Sequence, residues 1–545
     1  MRLSPSPLQP CWHLSLALLI TISVPGVHAD APILYDYPGY NAAQYGQAPS
    51  QTFKSSDIIA PRLQVNTWER ELVDTSPYIF LGLWSPLGGN AGPYIYSAQD
   101  LSLVYAEQRW PSAHNTQIQK YKGEDFVVFY QGEQRDGHSS GTCLFYDSAY
   151  QVRHTVEAVD FPASSVDMHE CQVTDSGTVL ISIYETLEWD TSPAGGMTIE
   201  QGGKLLDSLF QEVDIETGEL VFQWRASDWY PLTDSFFTWD FNKTEGWDFS
   251  ISTTTDGHYL VSARHTHTVS YVNGTSGEPI WTLGGKRNSF QDLSDGQATN
   301  FAWNHHARFR GDPLEGTQQL TLFDNHNLDT AVEGPGCNNN ANGTATTTSC
   351  SRGKHLELDY ERMTARLVRD YLHPANLVSG AMGGYSVVPN GNVLIGWGLN
   401  PTFTEHTPDG KCVLDVQYNI WDPQGEGRGH YRAFKSDWVG RPTWPPSLAW
   451  EGAGPESSSS SRVFLSWNGA TEVASWQIIA GNSTSTLDIP SKRFPRAGFE
   501  TTVTISAGVR YGQAVALDKE GAALGWTSVI DLETGEVVPE PQVQL

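Results

Sequence analysis

Positive charge is scarce in this chain. Its 33 lysines and arginines stand against 62 aspartates and glutamates, a formal net charge of −29. A surface of that sign lacks the charge to neutralise phosphates, which argues against nucleic acid and anionic membranes as partners. Long apolar runs are scarce as well. The one near the N-terminus, Leu14–Val24, follows Arg2 and precedes the small-residue site Val27-His28-Ala29. It is too short for a stable membrane span and has the layout of a secretory signal, so residues 1–29 are expected to be removed. No later segment is long enough for a transmembrane helix, and the mature chain is expected to be secreted.

Cysteine is also sparse, with six in 545 residues. Cys11 leaves with the signal. Cys337 and Cys350 bracket a loop of Asn, Gly, Ala and Thr that cannot form a core, and a disulfide there is expected. Cys143 and Cys171 lie on consecutive β elements and are the candidate second bridge, which leaves Cys412 over. The spacings match no zinc pattern, and neither a metal nor an organic cofactor is expected. The sequons at Asn242, Asn273, Asn342 and Asn482 suit a glycosylating secretory route.

What the chain does have is turn punctuation. DSGTVLISIY (Asp175–Tyr184), TDGHYLVSAR (Thr255–Arg264) and PNGNVLIGWG (Pro389–Gly398) share a turn-G-x-x-L core. Each opens a short β-rich run, and the stretch from Asp248 to Gly285 shows no helical period. Repeated multi-stranded units of more than 40 residues predict an all-β, six-bladed β-propeller over residues 30–442. A large β-sandwich or β-helix is the alternative. Residues 443–462, rich in Pro, Gly and Ser, read as a linker. Residues 463–545 carry short alternating strands with tryptophans and predict a small immunoglobulin- or fibronectin-III-like β-sandwich.

Histidine and arginine crowd into one part of this chain: Arg264, His265, His267, His305, His306, Arg308 and His326. In a radial repeat, several of them converge near the axis. Read as one strand, Arg264 faces away from His265 and His267. Arg264 could instead pair with Asp324.

The ordered motifs DMHECQVTDSGTVLIS (Asp167–Ser182), SARHT (Ser262–Thr266), IWTLGG (Ile280–Gly285), WNHHARF (Trp303–Phe309) and LFDN (Leu322–Asn325) resemble the arylsulfotransferase propeller family, in particular its secreted fungal branch. YRAF (Tyr431–Phe434) and GRPTWPPSL (Gly440–Leu448) are similar to its closing segment. The resemblance implies sulfuryl transfer between phenols through a transiently sulfated histidine. It puts that histidine at His305, a steadying arginine at Arg264 and a second catalytic histidine at His169. Neutral imidazole is a good nucleophile near neutral pH, and arginine offers fixed donors to sulfuryl oxygens. His306, His326, Ser250 and Asp324 are the further candidates for contact with an aromatic substrate. Ser250 stands where the family pattern has histidine. That departure keeps two other readings open: a cyclisation or pericyclic catalyst of secondary metabolism, and a non-catalytic binding protein.

Overall fold

The computed structural model describes residues 27–538 apart from 85–90, 111, 136, 237–248, 254–256, 315, 327–336, 339–344, 348–349, 422–428, 453–459, 485–486, 488 and 507–508. Asn242 and Asn342 therefore lie outside the described residues. So does the side chain of Cys337.

The fold is all-β. Its short hairpins follow from the turn chemistry: Gly177, Gly257 and Gly391, the glycines of the three repeats, have φ of +81°, +77° and +88°. A side chain is strained in that left-handed region, so glycine closes each tight turn at no steric cost.

Each hairpin joins one strand of a recurring set to its neighbour. The set comprises β1 (His114–Tyr121), β2 (Val166–Val173), β3 (Phe249–Thr253), β4 (His305–Leu314), β5 (Gly384–Val387) and β6 (His430–Ser436). Each of β1 to β5 leads an antiparallel group in chain order, for example β3 followed by Tyr259–Ala263, Thr268–Val272 and Pro279–Gly284. The sixth strand is different. β6 pairs back with Tyr78–Leu83, at the start of the chain's first hairpins. A second closure pairs Cys412–Gln417 with Gln64–Trp68. The strands β1 to β6 touch one another in sequence, and β6 touches β1. Sheets stacked around an axis in this way form a curled, propeller-type fold, with large apolar clusters between successive sheets.

Four of the inner strands carry a bulge at the same place. The ladder shifts between His114 and Gln117, Asp167 and Cys171, His305 and Arg308, and His430 and Ala433. A bulge bends its strand and re-aims side chains, so simple alternation fails at these residues. Alternation fails at SARHT for another reason. The strand Tyr259–Ala263 ends before Arg264, and residues 264–267 form a turn in which His267 has φ +54°. Arg264 and His265 therefore do not lie on opposite strand faces as the motif alone suggests.

The C-terminal part holds two further sheets. One contains Ser447–Glu451, Ser460–Ser466 and Thr501–Ser506, and the other is built around Ser475–Gly481 and Tyr511–Leu517. They share a core that includes Val463, Trp476, Ile478, Val503 and Ala514. Ser447–Glu451 lies within the stretch read as linker but is paired throughout with Ser460–Ser466. Its alternating Leu448 and Trp450 supply apolar contacts that the surrounding Pro and Ser masked.

These sheets are tied to the propeller-type part by the Asn468 side chain, which exchanges two hydrogen bonds with the backbone of Ala106. Tyr150, whose ring stacks on Tyr105 at 4.0 Å within the propeller-type part, makes a second tie through its hydroxyl, which donates to Gly469 O at 2.8 Å. Tyr150→Ala is expected to cost about 3 kcal/mol of stability in urea denaturation, the scale of losing a buried aromatic. A loss below about 1 kcal/mol, the worth of one hydrogen bond, would contradict that role.

Candidate functional site

The bulges bring β1, β2, β4 and β6 together through their side chains. His169 on β2 and His305 on β4 lie nearly parallel, with ring centroids 6.5 Å apart and planes at 20°. Tyr431 on β6 stands edge-on to both, at 5.7 Å from His169 and 6.4 Å from His305. Its third neighbour is His114 on β1, at 6.1 Å. On β5 the corresponding strand opens with Gly384. A Cβ there would lie 3.0 Å from Arg432 Cγ and 3.1 Å from His306 Nδ1, so a larger residue would push those two side chains back by a few tenths of an ångström.

His305 is fixed by a side chain twenty residues away. Asn325 Nδ2 donates to the carbonyls of Ser379 (3.0 Å) and Met382 (2.8 Å), which turns its Oδ1 toward His305. Nδ1 of His305 lies 2.6 Å from that oxygen and 2.9 Å from Trp303 O. Two acceptors facing one nitrogen require it to carry the proton, so Nε2 holds the lone pair. The Met382 N–H meets Nε2 at 3.2 Å.

His169 is held by a carboxylate. Its Nδ1 donates to Asp167 Oδ1, which also accepts the His169 N–H at 3.0 Å. Asp167 Oδ2 accepts from Ser139 N–H at 2.7 Å and Ser139 Oγ at 3.0 Å. These contacts occupy both carboxylate oxygens and fix the ring's Nδ1, so proton exchange at this ring falls to Nε2.

Arg264 approaches from the turn. Its Nη2 donates to Gly380 O at 3.2 Å, its Nη1 lies 2.9 Å from His265 Nε2, and its guanidinium sits 4.7 Å above the Trp303 ring. Arg264 and His305 thus contact the same short segment, Ser379–Met382. His267 packs at 4.9 Å against that same Trp303 ring.

The other candidates are placed differently. Asp324 bonds His326 Nδ1 at 2.9 Å and the Ala302 N–H at 3.0 Å, so its partner is His326 and not Arg264. Burial alone would raise its carboxyl, but His326, Lys354 and Arg352 hold it below the ordinary range. His306, turned by its φ of +54°, accepts the Tyr385 N–H at 3.0 Å. It lines a polar cleft of about 270 Å³ with Gln117, Gln119, Gln172 and Arg308, apart from the His169–His305 pair. Burial, then the Arg432 charge, keep it neutral. Ser250 pairs through its backbone with Ser262, and its side chain is outside the described residues. Cys143 and Cys171 are bridged. Cys350 is also disulfide-bonded, Cys412 is free, and burial pushes the Cys412 thiol up to about 12.

Several site residues had no signal beyond sitting inside a motif. Glu170, fully buried, accepts from Arg308 at 2.7 Å and from Arg432 at 3.1 Å; Arg432 also reaches Asn115. Burial would raise Glu170, yet the two guanidinium groups hold it below the usual carboxylate range. Tyr431, Arg432, Asn325 and Asp167 were all visible as letters of quoted strings, but their partners are too distant in sequence to infer.

Residues 117–419 match the family model described as Arylsulfotransferase (ASST). The chain belongs to the arylsulfotransferase family. The match begins within β1 and ends beyond β5, and so includes His169, Arg264 and His305. No curated protein sequence matches the chain. Among solved structures, a Bacteroides caccae protein of unknown function is similar at 12% identity over 65% of this chain and 97% of its own, with a TM-score of 0.35. The extracellular domain of a hybrid two-component system from B. thetaiotaomicron is 9% identical over 87% and 58%, with a TM-score of 0.33. The GH43 protein BlXynB of Bacillus licheniformis is 10% identical over 77% and 89%, with a TM-score of 0.30. Superpositions this loose assign nothing to the chain.

The site also sets an acid limit on the fold. Burial holds His114, His267 and His430 down to about 3. Free histidine titrates near 6.5, so below about that pH the unfolded chain binds more protons than the folded one. Stability is therefore expected to be level above about pH 7 and to fall as pH drops from roughly 6.5 toward 3. Thermal unfolding across pH checks this; a midpoint that rises on acidification would contradict it.

Proposed function

We propose that this protein is a secreted six-bladed propeller with a C-terminal immunoglobulin-like sandwich, and that it moves a sulfuryl group between phenolic small molecules. The observation that carries the reading is the Asn325–His305 contact, which leaves the lone pair on Nε2 beside a carboxylate-held histidine. The family membership supports the reaction class, and the closed cycle of β1 to β6 supports the blade number. The signal-like N-terminus and the sequons support secretion and glycosylation. Asn273 and Asn482 are the acceptors among the described residues.

In this reading His305 Nε2 attacks the sulfur of an aryl sulfate, and the S–O bond to the ring breaks. Protonated His169 gives its Nε2 proton to the departing phenolate. The acceptor phenol then returns a proton to His169 as its oxygen attacks sulfur and the S–N bond breaks. Arg264 balances charge on the sulfuryl oxygens. The Met382 N–H must leave Nε2 before attack, so donor binding has to shift the Ser379–Met382 segment.

Two observations favour a second reading, a cyclisation or pericyclic catalyst of the same aromatic class. Ser250 replaces the expected histidine, and the Met382 N–H occupies the nucleophile's lone pair. Assay of nitrophenol release from 4-nitrophenyl sulfate, with and without a phenol acceptor, separates the two. Acceptor-dependent release with ping-pong kinetics supports sulfuryl transfer; no release with any phenol favours the second.

A further inference from the structure

The neighbouring strand His138–Tyr146 grips both ends of the segment that carries His169. In β2 the ladder pairs Asp167 with Ser182 and then Cys171 with Ile181. Met168, His169 and Glu170 therefore leave the ladder together. The other inner strands leave it by less: in β4, two residues between His305 and Arg308 face one, Leu322, between their partners Phe323 and Thr321. A longer excursion surrenders more ladder bonds and needs other anchors to hold one conformation.

Ser139 anchors the start. Its N–H and Oγ bind Asp167 Oδ2 at 2.7 and 3.0 Å, and its Oγ accepts the Met168 N–H at 2.8 Å. Cys143, on the same strand, anchors the end through its disulfide to Cys171. Between them Gly141 pairs with Val166. A Cβ on Gly141 would lie 2.0 Å from Gln131 O and 2.6 Å from Tyr130 Oη, so a side chain there would displace the gripping strand from its neighbour. Ser139 is 4% exposed, Cys143 0% and Cys171 1%, so water does not compete for these contacts.

We infer that His138–Tyr146 is a clamp that aims the Asp167–His169 pair, making Ser139 and the Cys143–Cys171 bridge positioning residues for proton transfer at His169. This rests on the proposed role of His169 as proton carrier. A disulfide that served stability alone could join any two strands. This one closes the excursion one residue after Glu170 and two after His169, while the serine at its other end grips the carboxylate that holds the imidazole.

The test uses the full chain with Ser139→Ala and, separately, Cys143→Ala with Cys171→Ala. The primary readout is the exchange-protected imidazole N–H proton of His169 in the NMR spectrum without substrate, assigned by its loss in His169→Gln. Both variants are expected to broaden or lose that signal. On an aryl sulfate, kcat is expected to fall at least about tenfold, with its pH profile shifted and KM changed less than about twofold. An unchanged signal and pH profile with only a lowered melting temperature would overturn the clamp and leave a plain staple. Should the cysteine variant fail to fold, Ser139→Ala decides alone. The signal is read without turnover, so a wild-type chain inactive on every aryl sulfate would defeat the sulfuryl reading and leave this test intact.

Discussion

His305→Ala is expected to lower sulfuryl transfer from an aryl sulfate by roughly 10⁴-fold or more, the scale of deleting a nucleophile from a group that acts as a unit. The fold should survive, because the ring's bonds run to one asparagine and to backbone. Asn325→Ala tests the same point from one step away. It removes the nearer of the two acceptors that hold the proton on Nδ1 and leaves only Trp303 O, so the imidazole is freer to take the wrong tautomer. Losses between roughly 10² and 10⁴ in kcat follow when a tautomer-setting partner is removed. Arg264→Ala is expected to cost about 10²- to 10³-fold, the worth of one charge-stabilising donor. Steady-state kinetics on the three variants ranks them. Full activity in His305→Ala would remove the nucleophile assignment whatever the other two do.

Glu170→Ala is expected to give the largest stability loss of any single change among the inner strands, about 3–5 kcal/mol. Glu170 is the shared carboxylate of Arg308 and Arg432, and Arg432 is fully buried. Removing it leaves two guanidinium groups facing each other with no anion between them. Repulsion and lost hydrogen bonds act in the same direction, which is why this site outweighs the exposed ion pairs. Those, such as Arg441–Glu472 with 66% and 39% of each side chain exposed, contribute well under about 1 kcal/mol each. Urea denaturation of Glu170→Ala and Glu472→Ala compares the two. Equal losses would mean that the buried cluster is solvated after all.

The local parts of the fold were readable because they rest on local chemistry. The turn glycines Gly177, Gly257 and Gly391 need a left-handed backbone, and the β-rich runs beside them need only to pair with the next run. The closure was not readable. β6 returns to pair with Tyr78–Leu83 across some 350 residues, and no local pattern specifies that return. The histidine neighbours show the same division. Choosing between His305 and His306 by alternation fails because one extra residue in β4 re-aims both, sending His305 to His169 and His306 to the Tyr385 backbone. The phase of Arg264 failed because its motif spans a strand end. Glu170 was legible as a letter beside His169, but its partners lie 138 and 262 residues away.

His305 Nε2 is expected to carry the sulfuryl group. Incubating the protein with 4-nitrophenyl sulfate, quenching before acceptor is added, and mapping the peptides by mass spectrometry tests it directly. A sulfuryl adduct is expected on the peptide holding His305, absent from His305→Ala and discharged by a phenol. Phenol-dependent turnover with no adduct on that peptide, or with the adduct on another residue, would contradict it.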